Sequence, residues 1–405
     1  MAYGCPFSFI RSLVMKRILV HTFICLHLLS LSSCSTREII SVTTATVSGD
    51  VTAVGRLAAR KGVYYVSHPQ VVASRLKAFA DMLDRFRKAV APQWGKKETR
   101  EPSPKTYVKY TQNYQSRARV DFDKGIVIVE TLDATQPSAS LQEAIVTVLL
   151  TPNDPRGVDL YSAKSVVLGE TPFLYGEILD RDGQPIRWQW RANRFANILV
   201  REAMQSKTIR VDGRNKTVHY VTIPMVKDHL MVRARKFKPY VLDCARAYKV
   251  SPNLIYAIMK TESDFNPYAV SHVPAYGLMQ IVPATAGQDV SGFLGDKQGV
   301  PSRDFLFVPA NNIRYGAAYL HILNYKYLAK IKDPVSREYC VIAAYNGGAG
   351  SVLKTFSSNR DQAPNKINGM HPGDVYKTLV AKHPARETRR YVQKVVLAKK
   401  EFVNL

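Results

Sequence analysis

The chain has 405 residues, 46% hydrophobic and 22% charged, a composition that supports two or three globular domains with real cores. Its net charge of +25 points to a polyanionic partner: nucleic acid, anionic lipid or an acidic polymer. Nucleic acid is set aside, because no basic helix with the required motif spacing, no RNA-binding aromatics and no finger cysteines occur.

The first segment reads as a secretory signal. Met15-Lys16-Arg17 is a charged start, Ile18 to Leu31 is mostly apolar, and Leu31-Ser32-Ser33-Cys34 follows. The apolar run is short for a membrane span. Leu-Ser-Ser-Cys resembles the bacterial lipobox, which implies that Cys34 receives diacylglycerol and becomes the first mature residue. An uncleaved anchor with an incidental cysteine is the alternative. Ser35, in place of Asp, implies sorting to the outer membrane. Either Met1 or Met15 serves as the start. The expected division is a signal peptide over 1–33 and a tether over 34–67, with a helix near Val54–Arg60. Cys5 and Cys25 leave with the signal. Cys244 and Cys340 remain, as two buried thiols or as a pair, and spacing leaves that open.

An α+β accessory domain is expected over 68–230. Val72, Leu76, Phe79, Leu83 and Phe86 recur at helical spacing between Pro69 and Val90. Residues 91–105 read as a Pro- and Lys-rich linker. Ala118, Val120 and Phe122 alternate with Arg117, Arg119 and Asp121, turn at Asp123-Lys124-Gly125, and return through Ile126 to Thr131 as a hairpin. Leu141 to Leu150 predicts a helix, Phe173 to Leu179 a strand, and Arg191 to Met204 a helix. Thr208–Val211 and Thr217–Met225 flank Gly213 as a second hairpin. Trp188 and Trp190 either stack on sugar or fill a core.

From 231 to 405 the pattern is helical, so the fold class is multidomain α+β, ending in a mainly α-helical domain. Phe237 to Tyr248 is one helix, and Ser251-Pro252 caps the next. Pro309 to Leu328 is a longer helix, capped by Asn311 or Asn312. Asp333-Pro334 opens another that Gly347-Gly348 stops. Ser351–Phe356, Asp374–Val380 and Glu387–Lys400 complete the set.

Glu262 stands out. Leu254, Ile258 and Glu262 are each four apart, which puts an acid on an apolar stripe near a helix C-terminus. Burial and the macrodipole both favour the neutral acid there, as a general acid requires. A frayed helix end, with Glu262 bent into solvent, is the simpler reading of the position alone. The flanking motifs decide between them: Glu262-Ser263-Asp264-Phe265-Asn266-Pro267, Ala269-Val270-Ser271, Tyr276-Gly277-Leu278-Met279-Gln280, Ala344-Tyr345-Asn346-Gly347-Gly348 and Glu387-Thr388-Arg389-Arg390-Tyr391-Val392. In order and spacing they resemble the catalytic domain of soluble-type lytic transglycosylases, a lysozyme-like family, over roughly residues 235–405. Tyr107-Val108-Lys109-Tyr110 and Pro185-Ile186-Arg187-Trp188 extend the resemblance to membrane-bound lytic murein transglycosylases over nearly the whole chain.

The resemblance implies cleavage of peptidoglycan between N-acetylmuramic acid and N-acetylglucosamine, leaving 1,6-anhydro ends. It places the catalytic acid/base on Glu262 and substrate contacts on Ser271, Gly277, Met279, Gln280, Tyr345, Asn346 and Tyr391. For Met279, core packing is an equal expectation, and Gly277 is expected to allow close chain approach, since a side chain there would narrow the groove. No second acid stands in the matched motifs beyond Asp264, which suits a mechanism with one carboxyl. The nine histidines show no ligand spacing, so no metal or other cofactor is expected. The implied setting is the periplasmic face of the outer membrane, with the basic surplus facing peptidoglycan carboxylates and anionic lipid.

Overall fold

The computed structural model describes residues 69–405 apart from 170, 272–273 and 297–298. The expected signal, the Cys34 acylation site and the 34–67 tether lie outside the described residues. No helix among the described residues is long and apolar enough to cross a membrane. The contacts divide the chain into two compact units. The first is Lys77–Ile322 with Lys394–Leu405; the second is Leu323–Gln393 with the first turns of the opening helix.

The first unit opens on α1 (Pro69–Trp94), which outruns its predicted end and carries Pro92 in its last turn, where the missing N–H removes one bond, to the carbonyl of Lys88. Phe86, Val90 and Trp94 lie on one stripe. They pack on Val108, Tyr110, Ile209, Val211 and Val218 of a five-stranded antiparallel sheet. Its strands are β1 (Thr106–Thr111), β2 (Ser116–Asp121), β3 (Ile126–Thr131), β4 (Gln205–Val211) and β5 (Arg214–Pro224). Their spatial order is β1-β2-β3-β5-β4. Both predicted hairpins are present. In the second, Asp212 and Gly213 have φ of 47° and 81°, a pair of positive values that matches the strand twist.

The other face of the sheet is covered by α2 (Pro137–Leu149) and α3 (Gln189–Ala203). Because both faces are covered, simple alternation misplaces Arg117. It is 1% exposed, stacks over Trp94, and pairs with its cross-strand neighbour Glu130 at 2.5 Å. The expected linker is packed too: the Glu98 carbonyl accepts from Arg117, and Glu101 pairs with Arg87.

The predicted strand over 173–179 is a run of turns instead. Tyr175 N–H bonds Pro172 O, Glu177 N–H bonds Leu174 O, and Gly176 has a φ of 80°. The turns deliver Glu177 to a fully buried position against Lys236 at 2.8 Å and Arg233 at 3.4 Å.

The helical part of this unit comprises α4 (His229–Lys236), α5 (Lys238–Tyr248), α6 (Pro252–Ser263), α7 (Gln288–Leu294), α8 (Arg303–Phe307) and α9 (Pro309–Ile322). Ser251 sits at the cap position of α6, but its hydroxyl bonds Asn253 and caps no backbone group.

The second unit holds α10 (Pro334–Gly347), α11 (Ala349–Phe356), α12 (Ala363–Asn368), α13 (Pro372–Lys382) and the start of α14 (Arg386–Ala398). Asp333 caps α10 by accepting from Ser336 N, as its Asp-Pro signal predicts. Cys340 is fully buried here, Cys244 is half-buried in the first unit, and both are free thiols. The α+β region followed by a helical region is the fold class expected from sequence.

Candidate active site

α6 forms because Pro252 opens it and Leu254, Ile255, Ile258 and Met259 bury one face completely or nearly so. It ends at Asp264, left-handed with a φ of 48°, whose N–H returns to Lys260 O at 3.0 Å. Phe265 follows at a φ of 60°. Two consecutive left-handed residues with side chains cost roughly 1–2 kcal/mol each, so surrounding contacts must hold them. Phe265 is enclosed by Phe237, Tyr256 and Phe402 with ring centroids 5.7–6.5 Å away. Glu262 sits one residue before the end of α6 and is half-buried.

The segment after Glu262 is seated on the accessory region. Asp264 is 1% exposed and pairs with Lys105 at 2.7 Å, with Lys260 at 3.7 Å on the same carboxylate. Asn266 accepts from Tyr268 N and donates to Pro104 O at 3.0 Å. The Tyr268 hydroxyl donates to Pro152 O, and its ring meets Tyr107 and Phe173 at 5.1 and 5.2 Å. Asp264 is therefore a buried, ion-paired anchor.

The Gly-Leu-Met-Gln turn is fixed from inside. Gly277 has a φ of 74°, its N–H bonds Ala269 O at 2.9 Å, and a side chain there would lie 2.7 Å from Leu306 O and 2.8 Å from Asn312 Cγ. The glycine lets the chain approach closely and makes room for Asn312. Asn312 is fully buried within α9. Its Oδ1 accepts from Met279 N at 2.8 Å, and its Nδ2 donates to Tyr276 O at 2.7 Å and Leu306 O at 2.8 Å. It does not cap the helix, as sequence suggested. It clamps the turn. Ser263 adds a second tie, donating to Leu278 O at 2.7 Å.

Three further motif side chains have partners within the fold. Met279 is 0% exposed and lies on Gly316, where an added Cβ would stand 2.6 Å from its Cε, so its side chain packs the core. Gln280 Nε2 donates to Ala269 O and Gly277 O at 3.2 and 2.9 Å, which makes its amide a brace across the turn. Ser271 is 3% exposed and its Oγ accepts from Ala275 N at 3.2 Å, closing a small loop.

Tyr345, Asn346 and Tyr391 lie in the second unit. Tyr345 and Asn346 are half-buried in the last turn of α10, which Gly348 ends with a φ of 82°. Asn346 Oδ1 accepts from Thr388 Oγ1 at 2.7 Å, and Tyr391 is 6% exposed on α14. Ser351 Oγ bonds Gly347 O at 2.6 Å and lies 3.0 Å from His383 Nε2. With the serine proton given to the carbonyl, His383 donates to Ser351 through Nε2 and accepts from Ala385 N through Nδ1. Sequence reasoning gave Asn312, Lys105 and Thr388 no part in the site. Only Asn312 carries a local signal, as an amide on the buried face of an apolar helix.

Residues 239–368 match the family described as the transglycosylase SLT domain, which makes the chain an enzyme of the lytic transglycosylase class. Residues 72–236 match the family described as the N-terminal domain of membrane-bound lytic murein transglycosylase C. The protein of that name from Yersinia enterocolitica is 49% identical over 325 residues, covering 80% of this chain and 89% of the relative. Those from Serratia proteamaculans and Klebsiella pneumoniae are 49% and 48% identical over the same shares. The chain belongs to the membrane-bound lytic murein transglycosylase C family.

Proposed function

We propose that the enzyme cuts peptidoglycan glycan strands between N-acetylmuramic acid and N-acetylglucosamine without water, with Glu262 as sole proton carrier. The Glu262 carboxyl gives its proton to the glycosidic oxygen as the bond to C1 breaks. The substrate's own acetamido group stabilises the oxocarbenium-like centre. The Glu262 carboxylate then takes the proton of the muramic 6-hydroxyl as that oxygen bonds C1, closing a 1,6-anhydro ring and restoring the acid. The observation that carries this reading is the fate of Asp264. A hydrolase of the two-carboxyl type needs a second acid across the bond, and the acid beside Glu262 is buried against Lys105 at 2.7 Å.

Ser271, Tyr345, Asn346 and Tyr391 are assigned to sugar binding on the motif resemblance alone. Residues 1–33 are assigned as a signal peptide and Cys34 as a lipid anchor, with a tether over 34–67, an accessory domain over 68–230 and a lysozyme-like domain over 231–405. This sets the enzyme on the periplasmic face of the outer membrane.

Mass spectrometry of digested sacculi tests the chemistry. Anhydro-muramic ends are expected from the parent, and Glu262→Gln should release none while still binding the wall. Reducing muramic ends alone would make the enzyme a hydrolase.

A further inference from the structure

The three tryptophans of the chain divide sharply: Trp94 is fully buried, whereas Trp188 and Trp190 are 55% and 57% exposed. This excludes the core role for the pair. Two exposed indoles on one helix start are unusual enough to need a ligand.

Their setting is built. Both sit at the N-terminal end of α3, Trp188 as its cap residue. Arg187 lies 5.1 Å from the Trp188 ring and Arg191 4.6 Å from the Trp190 ring, so a guanidinium backs each indole. Arg191 is tied to Asp180, and Arg194 grips Asp182 through bonds of 2.6 and 3.1 Å, which fastens the helix start to the 180–183 turn.

We propose that Trp188 and Trp190 form a stacking platform for the sugar rings of a peptidoglycan strand, on the accessory region and separate from the bond-cutting residues. Indoles stack on the apolar faces of pyranose rings, and arginines beside them suit the carboxylates that peptidoglycan carries. An anionic bilayer fits less well. The residues between and after the indoles, Gln189 and Asn193, are polar and exposed, where a face that enters a bilayer would be apolar. The platform rests on the peptidoglycan reading and adds a wall-holding site to it.

The test uses the full chain with Cys34→Ala and Glu262→Gln, so that neither acylation nor digestion complicates binding. Sedimentation with purified sacculi should weaken roughly tenfold on adding W188A and W190A together, and W188F with W190F should restore most of it. With Glu262 intact, the alanine pair should cleave a short soluble glycan at the parent rate. Unchanged sacculus binding overturns the platform. So does a loss seen only on phosphatidylethanolamine–phosphatidylglycerol vesicles, which would make the pair a membrane contact. A parent chain that binds sacculi but leaves no anhydro ends would instead sink the catalytic reading.

Discussion

Gly277 and Asn312 occupy each other's space: the amide of Asn312 fills the volume that any side chain at 277 would take. The motif glycine and a helix asparagine 35 positions later are thus one device. Gly277→Ala meets both a positive φ and a collision, and should cost roughly 1–3 kcal/mol with a matching fall in activity. Asn312→Ala strands Met279 N–H and takes a donor from the carbonyls of Leu306 and Tyr276, the latter keeping its bond from Ile281 N–H. It should lower stability by roughly 2–4 kcal/mol in urea unfolding. Asn312→Asp should be no better, because it turns an acceptor on two carbonyls. An unaltered midpoint in either Asn312 variant would refute the clamp.

Asp264 and Glu262 should separate cleanly under substitution. Asp264→Asn keeps a side chain tolerant of left-handed backbone but removes the charge that faces Lys105. Cleavage of sacculi should persist within about threefold once the protein is folded, with a stability loss of roughly 1–3 kcal/mol. Glu262→Gln should lose at least about a hundredfold, the low end for a general acid–base group. Equal losses in the two variants would point to a two-carboxyl mechanism.

The Arg117–Glu130 pair offers a test of the accessory core. Glu130 also takes Lys207 at 2.6 Å. Burial alone would lift the Glu130 carboxyl, but Arg117 and Lys207 outweigh it and hold it below its ordinary value. Glu130→Gln leaves the buried Arg117 without its anion, and should cost roughly 3–5 kcal/mol near neutral pH. A depressed carboxyl stabilises above its unfolded value and loses that contribution as pH falls. The parent should therefore lose more stability than the variant on acidification. Parallel acid profiles would contradict the pairing.

Lys109 should give the opposite sign. It is 2% exposed and donates to Asp159 O and Ser162 O at 2.8 and 2.7 Å, and burial lowers its ammonium to about 8. Between that value and the ordinary lysine range, the unfolded chain holds a proton that the folded chain has released, so stability rises with pH. Relative to Lys109→Met, the parent should gain about 2 kcal/mol from about pH 7 to about pH 10 in denaturant unfolding. A constant gap between the two would refute the shift.

Local signals were read well from sequence. Asp333-Pro334 marked a helix start, Asp212-Gly213 a tight hairpin, and the Glu262 motif the end of a helix. What sequence could not supply is which faces are covered. Arg117 looks like an outward residue until α1 lies over it, and Trp188 and Trp190 look like core until nothing does. The ties that hold the candidate site are equally silent: Asn266 reaches Pro104 across 162 positions, and no periodicity encodes that. Motif resemblance pointed to Glu262. It missed the residues that keep it in place.

The seating of residues 264–268 on Pro104, Lys105, Tyr107, Pro152 and Phe173 bears on how the chain is made. The cradle residues are translated first, and the segment they hold follows more than ninety residues later. A gene fragment that starts at the SLT match would carry the active motif without the cradle. Replacing that front half with an unrelated module removes the partners that residues 264–268 find on Pro104, Lys105, Tyr107, Pro152 and Phe173.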